Sequence, residues 1–178
     1  MLALAIESAT ELAAVALADE SGVIATASLS RGRRHAEWIA PSVEFVCHSA
    51  GVAAGDVEAV CVDVGPGLFT GLRVGIAFAK GLAFALGVPV ASATSLEILA
   101  QALCGAGAGD LEGALLVPVV DARRGEVFSA CFEVESRPGA GRSLARVADD
   151  ARWSPDELAR SLASSQRPLV LAGDGLFR

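Results

Sequence analysis

Three short apolar runs open the chain, Leu2 to Ile6, Ala13 to Ala18 and Val23 to Ser28, broken by the polar stretches Glu7 to Glu11 and Asp19 to Gly22. Short runs rich in Val, Ile, Leu and Ala between turn-forming residues are strand signals, so the pattern predicts a three-stranded meander. From Glu37 the period changes. Ile39, Val43, Val46, Cys47 and Ala50 recur at helical spacing, with Pro41 near the expected first turn, where a missing N–H costs least. Val57 to Val64 then predicts a buried strand, and a glycine-rich turn leads into a long apolar helix that ends near Leu86, before Gly87 and Pro89. Val88 to Ala91 predicts the next strand. Thr94 or Ser95 is placed to cap a helix reaching about Cys104, with Glu97 near its positive end.

Three strands, helix, strand, helix, strand, helix is the order of one ribonuclease-H-like lobe, a mixed sheet flanked by helices. The stretch GAGAGD at residues 105 to 110 reads as a hinge and closes a first domain of residues 1–105. A second domain, 106–178, is expected from strands at Ala114 to Val120 and Glu126 to Glu133 and a polar loop around Ser136 to Asp150. A helix capped by Ser154 with Pro155 at its first position and a strand at Leu169 to Ala172 follow. The expected fold class is therefore α/β, two such lobes in series. The last residues come soon after GDG at 173 to 175, so the second lobe is expected to be truncated or incomplete.

Composition narrows the function classes. A chain of 178 residues with 53% hydrophobic content can bury the core of one ordinary domain or of two small lobes. Arg73, Lys80 and several glycines interrupt the most apolar stretch, and the apolar N-terminus carries Glu7 and Glu11 without a basic leading segment. Neither a membrane span nor a signal peptide is expected, and the reading is a cytoplasmic protein with no membrane partner. Cys47, Cys61, Cys104 and Cys131 are widely spaced in apolar surroundings with no CxxC pair, which indicates neither zinc nor disulfides. A formal charge of −7 repels phosphate backbones, so tight RNA binding by this chain alone is disfavoured.

The densest chemical signal is GPGLFTGLRVG at residues 65 to 75, which joins a buried strand to a helix. Gly65 and Gly67 let backbone N–H groups approach a ligand, the helix start adds partial positive charge, Thr70 a hydroxyl and Arg73 a full charge. The spacing fits neither a Walker A loop nor GxGxxG. Two readings stand, an anion or nucleotide site and a tight structural turn.

With this stretch the sequence resembles the TsaB (YeaZ) family, whose signature is GPGSFTGLRVG; Leu68 replaces the usual serine. LAIESAT at residues 4 to 10 resembles the family's first strand and turn, RHAEWIAP at 34 to 41 its HSExLxP helix start, and DARRGEVF at 121 to 128 its DARxGEVY. The resemblance implies an M22 glycoprotease-like member of the actin, acetate-kinase and sugar-kinase superfamily. It implies a cytoplasmic, non-catalytic scaffold for tRNA threonylcarbamoyladenosine synthesis that forms a heterodimer with the catalytic paralogue TsaD, acts with the ATPase TsaE, and meets tRNA only through that complex. The paralogue holds its metal with two histidines four residues apart; here His35 is followed four positions later by Ile39, so no metal and no catalytic residue is expected. HAEWI is not HExxH, which leaves peptidase chemistry without support, and His48 is expected on a solvated helix face. Glu7 stands where the family carries Asp and its kinase relatives an acidic residue near phosphate. Glu7, Ser8 and Thr10 are thus candidate phosphate contacts, with turn capping as the structural reading of Ser8 and Thr10. No cofactor is expected; nucleotide at an interface shared with the partner stays open. Asp121, Arg123, Arg124 and Glu126 read as a hairpin turn.

Helical spacing adds an interface. Trp38 and Phe45 fall off the apolar arc of the helix from residue 37. On the helix through residues 72 to 86, Leu72, Val74, Ile76, Phe78, Leu82 and Leu86 are expected on the core side. Arg73, Ala77, Lys80, Gly81 and Phe84 share the other arc, as a partner-binding face would. Two rival readings use the same residues: a small ATPase or phosphotransferase of the same superfold, centred on Glu7 and the glycine turn, and a homodimer formed by the isolated chain.

Overall fold

The computed structural model describes residues 1–30, 35–105, 111–137 and 141–177, with the side chains of residues 35, 136, 137 and 141 outside that description. Alternation sets the faces of the first sheet. In β1 (Ala3–Glu7) Leu4 and Ile6 are buried, and in β2 (Ala13–Asp19) Val15 and Leu17 are, while the residues between them are only half-buried. The two strands pair antiparallel, and β2 pairs antiparallel with β3 (Gly22–Leu29). After α1 (His35–Ala50), β4 (Ala59–Asp63) lies parallel to β1, and after α2 (Phe69–Leu86), β5 (Val90–Ala93) lies parallel to β4. The sheet order is β3-β2-β1-β4-β5, the ribonuclease-H-like arrangement.

The core of this unit joins Leu4, Ile6, Val15, Leu17, Val60 and Val62 to Ile39, Val43, Val46 and Cys47 of α1, the arc the periodicity predicts. Two details of α1 differ. It begins at His35, so Pro41 lies inside it rather than near its start. Ser42 is buried, and its hydroxyl donates to the Trp38 carbonyl at 2.8 Å, within the previous turn.

The face of α2 that touches the sheet also corrects the expectation. Gly71, Gly75, Ala79 and Ala83 are its buried residues, spaced four apart, while Leu72, Val74, Ile76, Phe78, Leu82 and Leu86 are half-buried beside them. Small side chains let the helix axis approach the sheet closely, and the bulky residues then fill the flanks. By length and composition α2 is the one described helix that could cross a membrane; here it packs along β4 and β1.

The second unit comprises residues 95–178, against the boundary at 105 expected from the hinge. The reason is α3 (Ser95–Gly105): its Leu96, Ala100 and Cys104 are buried with Leu116, Val120, Ala130 and Phe132 of the second sheet. Of the glycine-rich stretch, residues 106–110 lie outside the described residues. The second sheet has the order β8-β7-β6-β9, from β6 (Leu115–Arg123), β7 (Glu126–Arg137), β8 (Gly141–Trp153) and β9 (Leu169–Ala172). Where a polar loop is expected around Ser136 to Asp150, β8 pairs antiparallel with β7. Its polar side chains obscure it: Arg146 lies over the Phe132 ring at 4.8 Å and bridges Glu97 of α3 at 2.8 Å and Asp150. Helix α4 (Pro155–Ala163) starts as expected, with Ser154 and Glu157 forming a reciprocal capping box. All four cysteines are free thiols, Cys47 and Cys104 buried, Cys61 and Cys131 half-buried.

Candidate functional site

The glycine turn and the β1 turn are one structure. Parallel pairing sets Ile6 beside Val62, which brings the ends of β1 and β4, Glu7 and Asp63, side by side. Each end ties down its own turn: Glu7 Oε1 accepts the Ala9 N–H at 2.7 Å, and Asp63 Oδ1 accepts the Gly65 N–H at 2.7 Å. The turns then meet, because the Leu68 N–H donates to the Ala9 carbonyl. Gly67 sits so close to that carbonyl that a methyl group there would overlap the oxygen and come within 2.8 Å of Ala9 Cβ. Gly75 makes a similar close approach further along α2, facing Ser8, whose buried hydroxyl donates to the Gly71 carbonyl at 3.0 Å.

Most of the predicted phosphate contacts therefore act within the fold. Ser8 is buried and bonded to α2, and Thr10 exchanges hydrogen bonds with Leu12 in its own turn. Gly65 and Gly67 shape the turn, while Thr70 is exposed in the first turn of α2. Leu68, which precedes the helix, gives no side-chain cap. Arg73 is exposed and stacks on the Phe69 ring at 3.9 Å. Glu7 is held far above the ordinary carboxyl range, pushed up to about 9, chiefly by burial, then by its hydrogen bond to Asp63 and that residue's charge; the N–H groups of Ala9 and Thr10 pull the other way.

At the predicted metal position, the side chain of His35 lies outside the described residues, and Ile39 is fully buried in the core. His48 is exposed. Asp121, Arg123, Arg124 and Glu126 stand at the tip of the β6–β7 hairpin, where Arg123 and Arg124 both take positive φ, 67° and 55°. There Asp121 accepts the Arg123 N–H at 2.8 Å.

The outward side of α2 carries the interface candidates. Phe69, Arg73, Ala77, Lys80, Gly81 and Phe84 are all exposed and fall within about a third of the helix circumference at roughly 100° per residue. Phe84 is 90% exposed, Phe69 66% and, on α1, Phe45 58%. Trp38 does not join them: it is half-buried against the first core, because an indole one turn from the helix start can fold over the core edge. Phe69 is the member that sequence reasoning missed. Its position in the glycine motif drew attention to the backbone, although its spacing of four from Arg73 was available.

Known proteins carry the same pattern. A family model described as TsaD, tRNA N6-adenosine threonylcarbamoyltransferase, matches residues 17–164. The tRNA threonylcarbamoyladenosine biosynthesis protein TsaB of Bacillus subtilis (strain 168) is 30% identical over 173 residues, covering 97% of this chain and 71% of the relative. The protein of the same name from Escherichia coli (strain K12) is 37% identical over 134 residues, 75% of this chain and 55% of the relative. The solved structure of YeaZ from Pseudomonas aeruginosa superposes with a TM-score of 0.75 at 29% identity, covering 97% of this chain and 84% of that one. Because sequence and backbone agree over nearly all of its length, this chain belongs to the TsaB (YeaZ) family.

Proposed function

We propose that this chain is a non-catalytic scaffold that binds and activates a TsaD paralogue in tRNA threonylcarbamoyladenosine modification, at the adenosine next to the anticodon. It acts in the cytoplasm beside a TsaE ATPase and reaches tRNA only through the complex. Support for the pathway comes from the relatives, two of which are named as threonylcarbamoyladenosine biosynthesis proteins. Support for the scaffold role comes chiefly from one observation, the exposed stripe of α2 with aromatics at both ends and Ala77 and Gly81 between them. Small residues let a second helix approach, and exposed aromatics are the usual anchors of an interface. Together with Phe45 of the adjacent α1 they form apolar surface of the kind that binding buries. The same face would serve a homodimer when the chain is alone.

Phe45→Asp and Phe84→Asp test this directly. Each is expected to weaken pairing with the same genome's TsaD by about 2 kcal/mol or more, roughly 30-fold, with circular dichroism unchanged because neither ring is in the core. Folded variants that still sediment with TsaD at wild-type affinity would place the interface elsewhere.

The rival reading, a small nucleotide-binding ATPase, rests on the glycine turn at the start of α2 and on Arg73. Against it, Glu7, Ser8 and the two turns are engaged with one another. The isolated chain is expected to show no magnesium-dependent ATP hydrolysis. Reproducible turnover that disappears in Glu7→Ala would replace the scaffold reading with the enzyme one.

A further inference from the structure

Glu7, half-buried, and Asp63, buried, are carboxyls that the scaffold role does not use. Their placement follows from register. Strand alternation sends both side chains to the same face of the sheet, opposite to Leu4, Ile6, Val60 and Val62, which meet the helices. There the two carboxyl groups hydrogen-bond to each other. An ionised carboxylate has only acceptors, so a bond between two carboxyls requires a proton on one of them.

The pair also sits at the root of both turns. Glu7 holds the Ala9 N–H and Asp63 the Gly65 N–H, and the turns close over each other where Leu68 and Gly67 meet the Ala9 carbonyl. We propose that Glu7 and Asp63 share one proton, carried by Glu7, and that this proton latches the β1 turn to the glycine turn that starts α2.

The surrounding charges leave the pair to itself. On β4 the facing group is Asp63; the β1–β2 turn offers Glu11, which is exposed, and the only carboxylate of β2, Asp19, lies at the far end of that strand. Helix α2 contributes Arg73 and Lys80, both exposed, and β5 has no ionisable residue. Asp63 is the charge that acts on Glu7. With the proton present the pair is an acid donating to a carboxylate. Once it is lost, two poorly solvated negative charges repel and both turns lose their common root.

The test is carboxyl and amide NMR on the whole chain across a pH series. One glutamate side-chain carboxyl, identified by its absence in Glu7→Gln, is expected to stay protonated through neutral pH. It should titrate together with the amide signals of Ala9, Gly65 and Gly67. Glu7→Gln keeps a donor at the same place, so its three amides are expected to hold their neutral-pH positions into the alkaline range. Asp63→Asn removes the partner charge and should return Glu7 towards ordinary glutamate behaviour, which provides the readout if Glu7→Gln does not fold. A Glu7 carboxyl that ionises near the ordinary value of about 4.3 in the folded wild-type chain overturns the latch. So does an alkaline amide transition that survives in Glu7→Gln, or a Glu7 titration indifferent to Asp63→Asn.

Discussion

Gly67→Ala is expected to destabilise the first unit by about 3 kcal/mol or more and to lower its melting temperature by more than about 10 °C. The added methyl group would overlap the Ala9 carbonyl oxygen and lie 2.8 Å from Ala9 Cβ and 2.9 Å from the Ala9 carbonyl carbon. Two of these are backbone atoms, which have no rotamer through which to yield. The chain must either separate the turns, losing the Leu68-to-Ala9 hydrogen bond, or shift α2 away from the sheet, which opens the Gly71–Gly75–Ala79–Ala83 contact. Gly81→Ala is the matched control. Nothing lies within 4 Å of the added methyl there, so in the isolated chain it should gain up to about 1 kcal/mol from helix propensity. Calorimetry of both variants decides the matter: a wild-type melting temperature for Gly67→Ala would show that the two turns are not in register contact in solution.

Glu7→Gln is expected to change how stability depends on pH. In the unfolded chain Glu7 ionises near the ordinary value of about 4.3; in the folded chain burial and Asp63 raise it to about 9. Between those values the folded state keeps a proton that the unfolded state has released, so stability falls as pH rises. The contribution is wholly present below the unfolded value and is lost as pH climbs through the folded one. Its slope reaches at most about 1.4 kcal/mol per pH unit. Glutamine cannot ionise, so the stability difference between wild type and Glu7→Gln should grow in favour of the variant from pH 5 to pH 9. Urea unfolding at several pH values measures it. Parallel curves for the two proteins would mean that Glu7 titrates alike in both states. Unlike the NMR series, which reports on the turns, this measurement tests only the energetic linkage.

Local chemistry alone determined much of this protein. The period-two and period-3.6 runs mark β1, β2 and β3 and the buried arc Ile39–Val43–Val46–Cys47. Ser154 with Pro155 marks the start of α4, and the glycine turn marks a strand-to-helix junction. These signals are short-range, because backbone period, capping and turn preference are settled within a few neighbouring residues. Motif order likewise identified the family. Distant packing decided the rest. No local rule says that Glu7 lies beside Asp63; the parallel register of β1 and β4 does. A helical wheel ranks α2 by hydrophobicity and so turns its bulky residues inward, but a helix lying close to a sheet buries Gly71, Gly75, Ala79 and Ala83 instead. Helix α3 follows the sheet it can bury Leu96 against, not the nearest glycine-rich stretch. Strand β8 is hidden in the sequence because its partner β7, the Phe132 ring under Arg146 and the carboxylate of Glu97 supply what its own side chains lack. In each case the deciding energy is contact between segments far apart in the chain, which residue-by-residue preference cannot contain.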